Sequence, residues 1–220
     1  MIDFGRARSW ARMKSASLSL LMPRVLINDA FKKASEVGYM INQSPGEMAA
    51  AAGEVWITRA HTVLEIGVQH GGWSYAMRPF CMSALKYIAV DPTFSPGWPV
   101  YRKLLTDTGV DVSEVRAQSQ AAFEPVNRAL ESRRVDVLHI DGDHAVESVL
   151  FDWRTYSPLV RPGGLVLLHD VCGSRGPGDA LNAILAGSDA GRFAYTHVFC
   201  DMWNMAAEQR MGVGMIRMRN

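Results

Sequence analysis

The feature that most constrains the fold is a regular alternation of short apolar runs with stretches of helical periodicity. Seven runs have the length and composition of β-strands: 62–68, 86–92, 113–119, 135–141, 164–170, 194–200 and 212–218. Stretches with helical spacing lie between the first six runs, among them 73–85, 121–133, 145–160 and 179–187. This alternation is typical of a parallel sheet covered by helices on both faces, so the sequence predicts an α/β fold.

The last connection predicts that the final strand runs against the others. Only eleven residues, 201–211, join the sixth run to the seventh. A crossover between parallel strands needs a dozen or more residues. We therefore expect 212–218 to lie antiparallel, beside 164–170, in an otherwise parallel seven-stranded sheet.

Length and charge limit the class of protein. A chain of 220 residues with 48% hydrophobic content can bury one full core, and no repeat or linker divides it. The net charge of +1 argues against a nucleic-acid or membrane partner. No apolar run approaches the roughly 20 residues that span a bilayer, and no signal peptide is recognisable, so we expect a cytoplasmic protein.

The amino-terminal segment is the most basic part of the chain. Asp3 is the only acidic residue among the first 28, which include five basic ones: Arg6, Arg8, Arg12, Lys14 and Arg24. We interpret residues 1–40 as a helical segment that covers the fold or contacts a second subunit of a homo-oligomer. Residues 41–220 then form the main domain.

The cysteines do not predict a disulfide framework or a zinc site. Cys81, Cys172 and Cys200 are odd in number and widely spaced. We expect all three to be reduced thiols.

A glycine-containing turn follows the first predicted strand. Glu65, Gly67 and Gly71 form the pattern ExGxxxG, and Gln69 stands where the dinucleotide fingerprint GxGxxG needs glycine. Glycine lets the backbone approach a ligand closely, and the following helix offers free N–H groups. Asp91 ends the second strand, where its carboxylate can accept hydrogen bonds from ribose hydroxyls.

This constellation resembles the class I methyltransferases, which bind S-adenosylmethionine on a Rossmann-like sheet. The resemblance covers roughly residues 40–220. It implies that Glu65 orients the methionine end of the cofactor, that Gly67 and Gly71 line it, and that Asp91 holds the ribose. It also implies that Ser119 contacts adenine and that Asp141 lies beneath the transferring methyl group.

Two carboxylates and a histidine follow the fourth and fifth strands. Asp141 and Asp170 end neighbouring predicted strands, where their oxygens suit Mg²⁺. A cation there would orient an acceptor hydroxyl and lower its pKa. His144, three residues beyond Asp141, is placed to act as general base.

The segment 140–171 resembles metal-assisted O-methyltransferases that modify sugars and secondary metabolites, including macrolide-sugar methyltransferases, cephalosporin-hydroxylase-like proteins and catechol-type enzymes. The resemblance implies a third metal ligand immediately before Asp170. Relatives commonly carry Glu or Asp there, whereas this chain has His169. Either His169 is the third ligand, which would shift the expected ion from Mg²⁺ towards Mn²⁺ or Fe²⁺, or the third ligand is lost and His169 is a buried structural neighbour of Asp170. Upstream, 38–53 resembles the helix that reaches the cofactor in catechol-type enzymes, which makes Gln43 and Glu47 candidates.

Structural roles compete with functional ones at several positions. Asp143 is placed to cap the next helix, and His139 lies inside a strand as a core histidine. Trp98 and Trp203, with Met202 and Met205, either contact the acceptor or pack. His70 either contacts the ligand or shapes the turn.

Three functions remain open at this point. The first is a metal-assisted O-methyltransferase acting on a hydroxyl of a small molecule. The alternatives are a nucleic-acid methyltransferase and a non-catalytic protein that binds S-adenosylmethionine.

Overall fold

The structure is a computed structural model that describes residues 16–172, 175–200 and 212–220. The helices are α1 Ala16–Val37, α2 Pro45–Thr58, α3 Gly72–Met77, α4 Trp98–Thr106, α5 Ser119–Leu130, α6 Val146–Tyr156 and α7 Arg175–Ala186. The strands are β1 Thr62–Ile66, β2 Lys86–Val90, β3 Asp111–Val115, β4 Val135–Ile140, β5 Val160–Leu168, β6 Phe193–Cys200 and β7 Gly212–Met218.

The seven strands form one sheet in the order β3-β2-β1-β4-β5-β7-β6. β7 pairs antiparallel with both β5 and β6, so the other six strands share one direction. Leu165 of β5 is opposite Arg217 of β7, as expected from the short last connection. The predicted mostly parallel sheet, with its last strand antiparallel and helices on both faces, is confirmed.

The inner strands β1, β2, β4 and β7 bury both of their faces, which explains their nearly continuous apolar sequences. The edge strands β3 and β6 are more exposed. Along β4, Val137 faces the core beneath α1 to α4, whereas Leu138 and Ile140 face the core beneath α5 to α7. α1 belongs to the first of these cores, since Ile27, Ala30 and Ala34 are buried there. The role of residues 1–40 in contacts with a second subunit stays a prediction.

Two local expectations need correction. β3 begins and ends earlier than 113–119, so Ser119 begins α5 and does not end the strand. The prolines and the glycine of 92–98 indicate a loop, which we expected to cover the ligand. In the structure its last residue, Trp98, begins α4 and is 1% exposed. Trp98 stacks on Phe94, which supports its packing role.

The expectation of three reduced cysteines is wrong for two of them. Cys172 and Cys200 form a disulfide, with their Cα atoms 5.7 Å apart, and Cys81 is free. The bond joins the segment after β5 to the end of β6, across the start of β7. A Cβ atom at Gly212, the first residue of β7, would overlap the Cys172 side chain. Glycine is therefore required for the disulfide to cross there.

Some expectations fall outside the described residues. They concern the basic residues of 1–15 and the 201–205 loop, with Trp203, Met202 and Met205. Within the described ranges, no helix combines the length and apolar character needed to cross a bilayer. The cytoplasmic location stays a prediction.

The core beneath α5 to α7 contains one buried acid that predicts a pH-dependent stability. Asp152 of α6 is 1% exposed, and burial raises the pKa of its carboxyl group to about 6. Since the ionised form is disfavoured in the folded state, Asp152 lowers stability increasingly between pH 4 and pH 6 and fully above that. Asp152→Asn should raise the free energy of unfolding at pH 7.5 by about 1 to 3 kcal/mol.

Chemical denaturation at pH 7.5 and at pH 4.5 would measure this effect, and the difference should shrink at the lower pH. Asp143→Asn is the matched control, because a hydrogen bond from Ser148 lowers the pKa of Asp143. An equal gain in both variants, or a gain independent of pH, would contradict the assignment.

Candidate active site

A cavity of about 630 Å³ lies beyond the carboxyl ends of the parallel strands. Residues that follow β1, β2, β3, β4 and β5 line it, together with residues 40–43 before α2. The centre of this rim is the boundary between β1 and β4, where the strand order reverses, and open α/β sheets bind ligands there. The ends of five parallel strands therefore meet at one cavity.

The turn after β1 depends on glycine at two positions. Gly67 has a φ of +82°, and a Cβ atom there would overlap the backbone carbonyl of Asp141 at the end of β4. Gly71 has a φ of +88°, and a Cβ atom added there would lie only 2.8 Å from the Trp98 ring. The positive φ and the close contact each exclude a residue with a side chain at these positions. The two glycines therefore determine the path of the backbone along the cavity.

Asp91 organises this turn directly. Its Oδ2 atom accepts hydrogen bonds of 2.9 Å from the backbone N–H groups of Val68 and Gln69, and its Oδ1 atom accepts one from Thr93. Asp91 also lines the cavity, and a carboxylate has lone pairs for further donors. The residue therefore shapes the cofactor loop, which the sequence did not indicate, and its predicted contact with ribose stays a prediction.

Glu65 lies beneath the turn in a closed network. It is 1% exposed and accepts hydrogen bonds from Ser74 and Tyr87, while His139 Nδ1 lies 3.3 Å from its Oε1 atom. His139 is fully buried and stacks on Trp73 at 4.0 Å, which supports the interpretation of a core histidine. Glu65 also lines the cavity, so the hydrogen-bond network holds its carboxylate in a fixed position at the cavity surface.

Four side chains meet where β4 and β5 end. His169 Nδ1 lies 3.1 Å from Asp141 Oδ1 and 3.3 Å from Asp170 Oδ2. His144 Nε2 lies 3.4 Å from Asp170 Oδ2 and 4.0 Å from Asp141 Oδ1. Asp170 has a φ of +57°, a conformation uncommon for a residue with a side chain and often found at functional sites. The structure thus brings together the predicted metal ligands and the predicted base.

These groups influence each other's ionisation. Burial alone would raise the pKa of Asp141, but the positive charge of His169 and the proximity of His144 hold it well below its usual range. Burial opposes protonation of His169, yet the carboxylates of Asp141, Asp170 and Glu47 raise its pKa well above the usual value. Hydrogen bonding to Asp141 raises the pKa of His144.

The segment before α2 supplies two more polar contacts. Gln43 Nε2 donates a 2.8 Å hydrogen bond to Asp141 Oδ2, and Glu47 Oε1 lies 2.9 Å from His169 Nε2. Both residues were candidates only because 38–53 resembles the helix that reaches the cofactor in catechol-type enzymes. The sequence contains one signal for the position of Glu47, which is the capping box that it forms with Ser44 at the start of α2.

Three further positions have defined local roles. Ser119 lines the cavity at the first residue of α5, on the side away from Asp170. Asp143 accepts hydrogen bonds from Ala145 N–H and Ser148 Oγ, but the N-cap of α6 is Ala145, so the expected capping by Asp143 is wrong. His70 is hydrogen-bonded to Ser95 and lies beside Tyr39, so it ties the turn to neighbouring loops.

The cluster has the composition and spacing of a cation site. One donor atom from each of Asp141, His144 and Asp170 lies within 4.8 Å of the others. Ligands about 2.1 Å from a common ion are about 3 Å apart when adjacent and about 4.2 Å apart when opposite. Two carboxylates and an imidazole therefore fit a divalent cation with modest adjustment of the side chains.

Comparison with known proteins gives a family for this arrangement. Residues 64–171 match the family described as "Methyltransferase domain". The match begins in β1 and ends directly after Asp170, so it includes the glycine turn, Asp91 and the β4 and β5 strand ends. No curated protein matches the chain.

Solved structures share the fold at low sequence identity. The O-methyltransferase TomG from Streptomyces achromogenes, involved in tomaymycin synthesis and solved with S-adenosylmethionine, is 12% identical, with a TM-score of 0.66 and full coverage of both chains. An O-methyltransferase from Bacillus cereus in complex with S-adenosylhomocysteine is 13% identical, with a TM-score of 0.62 and 96% coverage of each chain. The family match makes residues 64–171 a methyltransferase domain, and the solved structures share the fold of the chain as a whole.

Proposed function

We propose that the protein is an O-methyltransferase that transfers the methyl group of S-adenosylmethionine to a hydroxyl of a small molecule with the help of a divalent cation. One observation carries this proposal. Asp141 and Asp170, with His144 beside them, line the same cavity as the glycine turn and Asp91. A methyl donor and a metal-held hydroxyl can therefore meet within it.

The size and polarity of the cavity support the cofactor assignment. A volume of about 630 Å³ lies within the usual range of about 300 to 1,000 Å³ for small-molecule sites. Gly67 and Gly71 leave the backbone open to the methionine end, which Glu65 orients. Asp91 is placed for the ribose hydroxyls, and Ser119, at the opposite end of the rim from Asp170, is placed for adenine.

The cluster supplies the groups that the acceptor hydroxyl needs. A cation held by Asp141 and Asp170, with His169, would orient the acceptor oxygen and lower the pKa of its hydroxyl. His144 Nε2 receives the hydroxyl proton as the new C–O bond forms and the methyl–sulfur bond breaks. The side chain of His144 is 48% exposed, so the proton can pass on to solvent.

Charge balance determines when His144 can act as a base. The carboxylates of Asp141 and Asp170 raise the pKa of His144. A cation held by these carboxylates would offset their charge and so lower the pKa of His144 towards its usual value. The base and the metal ligands therefore form one functional unit.

The acceptor class follows from the resemblance to sugar and secondary-metabolite O-methyltransferases and from the charge of the protein. A net charge of +1 provides no field for a nucleic-acid acceptor. We therefore propose a hydroxylated small molecule, such as a sugar or a secondary metabolite. Incubating a panel of phenols and glycosides with methyl-labelled S-adenosylmethionine tests this choice.

The cofactor assignment predicts a defect in Asp91→Asn. Because the ribose hydroxyls lose a charged acceptor, S-adenosylhomocysteine should bind about 10- to 100-fold more weakly by calorimetry, equivalent to about 1.5 to 3 kcal/mol. Asp107→Asn is the matched control, since Asp107 lies on the exposed end of α4 and pairs with Lys103. Tight NAD binding by the wild type, with no response to S-adenosylhomocysteine, would sink the assignment.

The metal assignment predicts that Asp141→Ala or excess chelator abolishes turnover. S-adenosylhomocysteine should still bind almost normally, because its main anchors follow β1 and β2. His144→Ala should lower the turnover rate by about 10²- to 10⁴-fold while the cation still binds. Full activity in chelator would remove the metal from the mechanism, and loss of the cation in His144→Ala would make His144 a ligand and not the base.

A further inference from the structure

Glu47 and His169 form a buried pair that connects α2 to the end of β5. The two residues are 1% and 5% exposed, and Glu47 Oε1 lies 2.9 Å from His169 Nε2. They are 122 residues apart in the sequence. Glu47 is held in place by its capping box, in which Ser44 N–H donates to Oε1 at 2.7 Å.

This pairing fixes the orientation of the imidazole. The carboxylate of Glu47 can only accept, so His169 Nε2 carries a hydrogen and donates it. In the neutral ring, the lone pair then lies on Nδ1, which faces Asp141 and Asp170. Nδ1 is buried and has no hydrogen-bond partner among the described residues, because its contacts with the two carboxylates lack hydrogen-bond geometry.

Positive charge must lie between Nδ1 and the two carboxylate oxygens, either as a proton on the ring or as a bound cation that replaces this proton. The separations of 3.1 and 3.3 Å from Nδ1 to the two oxygens are close to the roughly 3 Å expected for adjacent ligands of one ion. Ligating histidines also commonly donate their other ring N–H to a carboxylate, which fixes the tautomer and raises the basicity of the ligand.

We propose that Glu47 is a positioning residue that makes His169 Nδ1 a metal ligand, so that Glu47, His169 and the cation form a carboxylate–histidine–metal series. This inference rests on the proposed function, because it concerns the same cation. It adds a residue from outside the matched region 64–171 to the site. Glu47 contributes through His169 and does not contact the acceptor.

The ligand set also selects the class of ion. Mg²⁺ prefers oxygen ligands, whereas imidazole nitrogen suits Mn²⁺, Fe²⁺ and related ions. The strengthened nitrogen ligand therefore favours Mn²⁺ over Mg²⁺, and Glu47 should matter more for Mn²⁺ than for Mg²⁺.

Binding of Mn²⁺ alone to the full chain, followed by electron paramagnetic resonance, tests this proposal without an acceptor. Glu47→Ala should weaken Mn²⁺ binding by about 10- to 100-fold, and Mg²⁺ binding by less. Ser44→Ala is the matched control, because it also breaks the capping box but leaves the Glu47–His169 contact. It should lower the melting temperature much as Glu47→Ala does, with Mn²⁺ affinity nearly unchanged.

A double-mutant cycle separates positioning from a general structural role. If Glu47 acts through His169, Glu47→Ala should have little further effect on Mn²⁺ affinity in a His169→Ala background. Equal losses of affinity in Ser44→Ala and Glu47→Ala, or additive losses in the double variant, would overturn the inference.

The same experiment distinguishes this inference from the proposed function. Normal Mn²⁺ affinity in Glu47→Ala, with wild-type binding intact, would overturn the role of Glu47 alone. Absence of Mn²⁺ binding by the wild type would overturn both this inference and the cation of the proposed function.

Discussion

The close contact between Gly67 and the backbone of Asp141 is the constraint on which the site depends. β1 and β4 are neighbours in the sheet although 68 residues lie between the end of β1 at Ile66 and the start of β4 at Val135. Their last residues, Ile66 and Ile140, pair in register. The missing side chain at Gly67 lets the two strand ends approach, and the Asp141 N–H bonds to Ile66. The cofactor turn and the charged cluster therefore share one wall.

The charged cluster has a physical cost that the surrounding contacts offset. Asp141 and His169 are largely withdrawn from water, and groups of this kind are stable only when paired and hydrogen-bonded. Gln43 and Glu47 approach from the helix side, and Asp170 completes the group from β5. A site built from α2, β4 and β5 links the folding of the amino-terminal helices to the geometry at the reaction centre.

Most of the sheet could be predicted from the sequence because its inner strands are buried on both faces and its connections are short. The glycine turn and the cluster at Asp141 could be found because their residue types follow strand ends, which parallel pairing brings to one edge. Helix α4 was missed because the prolines and glycine of 92–99 indicate a loop, although Pro99 is in the first turn of the helix, where proline is tolerated.

Contacts between residues distant in the sequence could not be predicted in this way. The Cys172–Cys200 disulfide depends on β7 inserting between β5 and β6, which brings the two ends together. The Glu47–His169 contact depends on how α2 packs over β5. Ser44 and Glu47 have the spacing of a capping box, which indicates the start of a helix. This spacing does not indicate which distant residue Glu47 contacts.

The central claim is that the methyl donor and the cation occupy adjacent parts of one cavity. Nuclear magnetic resonance of S-adenosylmethionine carrying a ¹³C-labelled methyl group, bound to the protein with Mn²⁺, tests it most directly. If the methyl group lies close to the bound Mn²⁺, its signal should be strongly broadened in the wild type. Chelator should reverse this broadening, and Asp141→Ala should lack it. A methyl signal that stays sharp while both cofactor and Mn²⁺ are bound would contradict it.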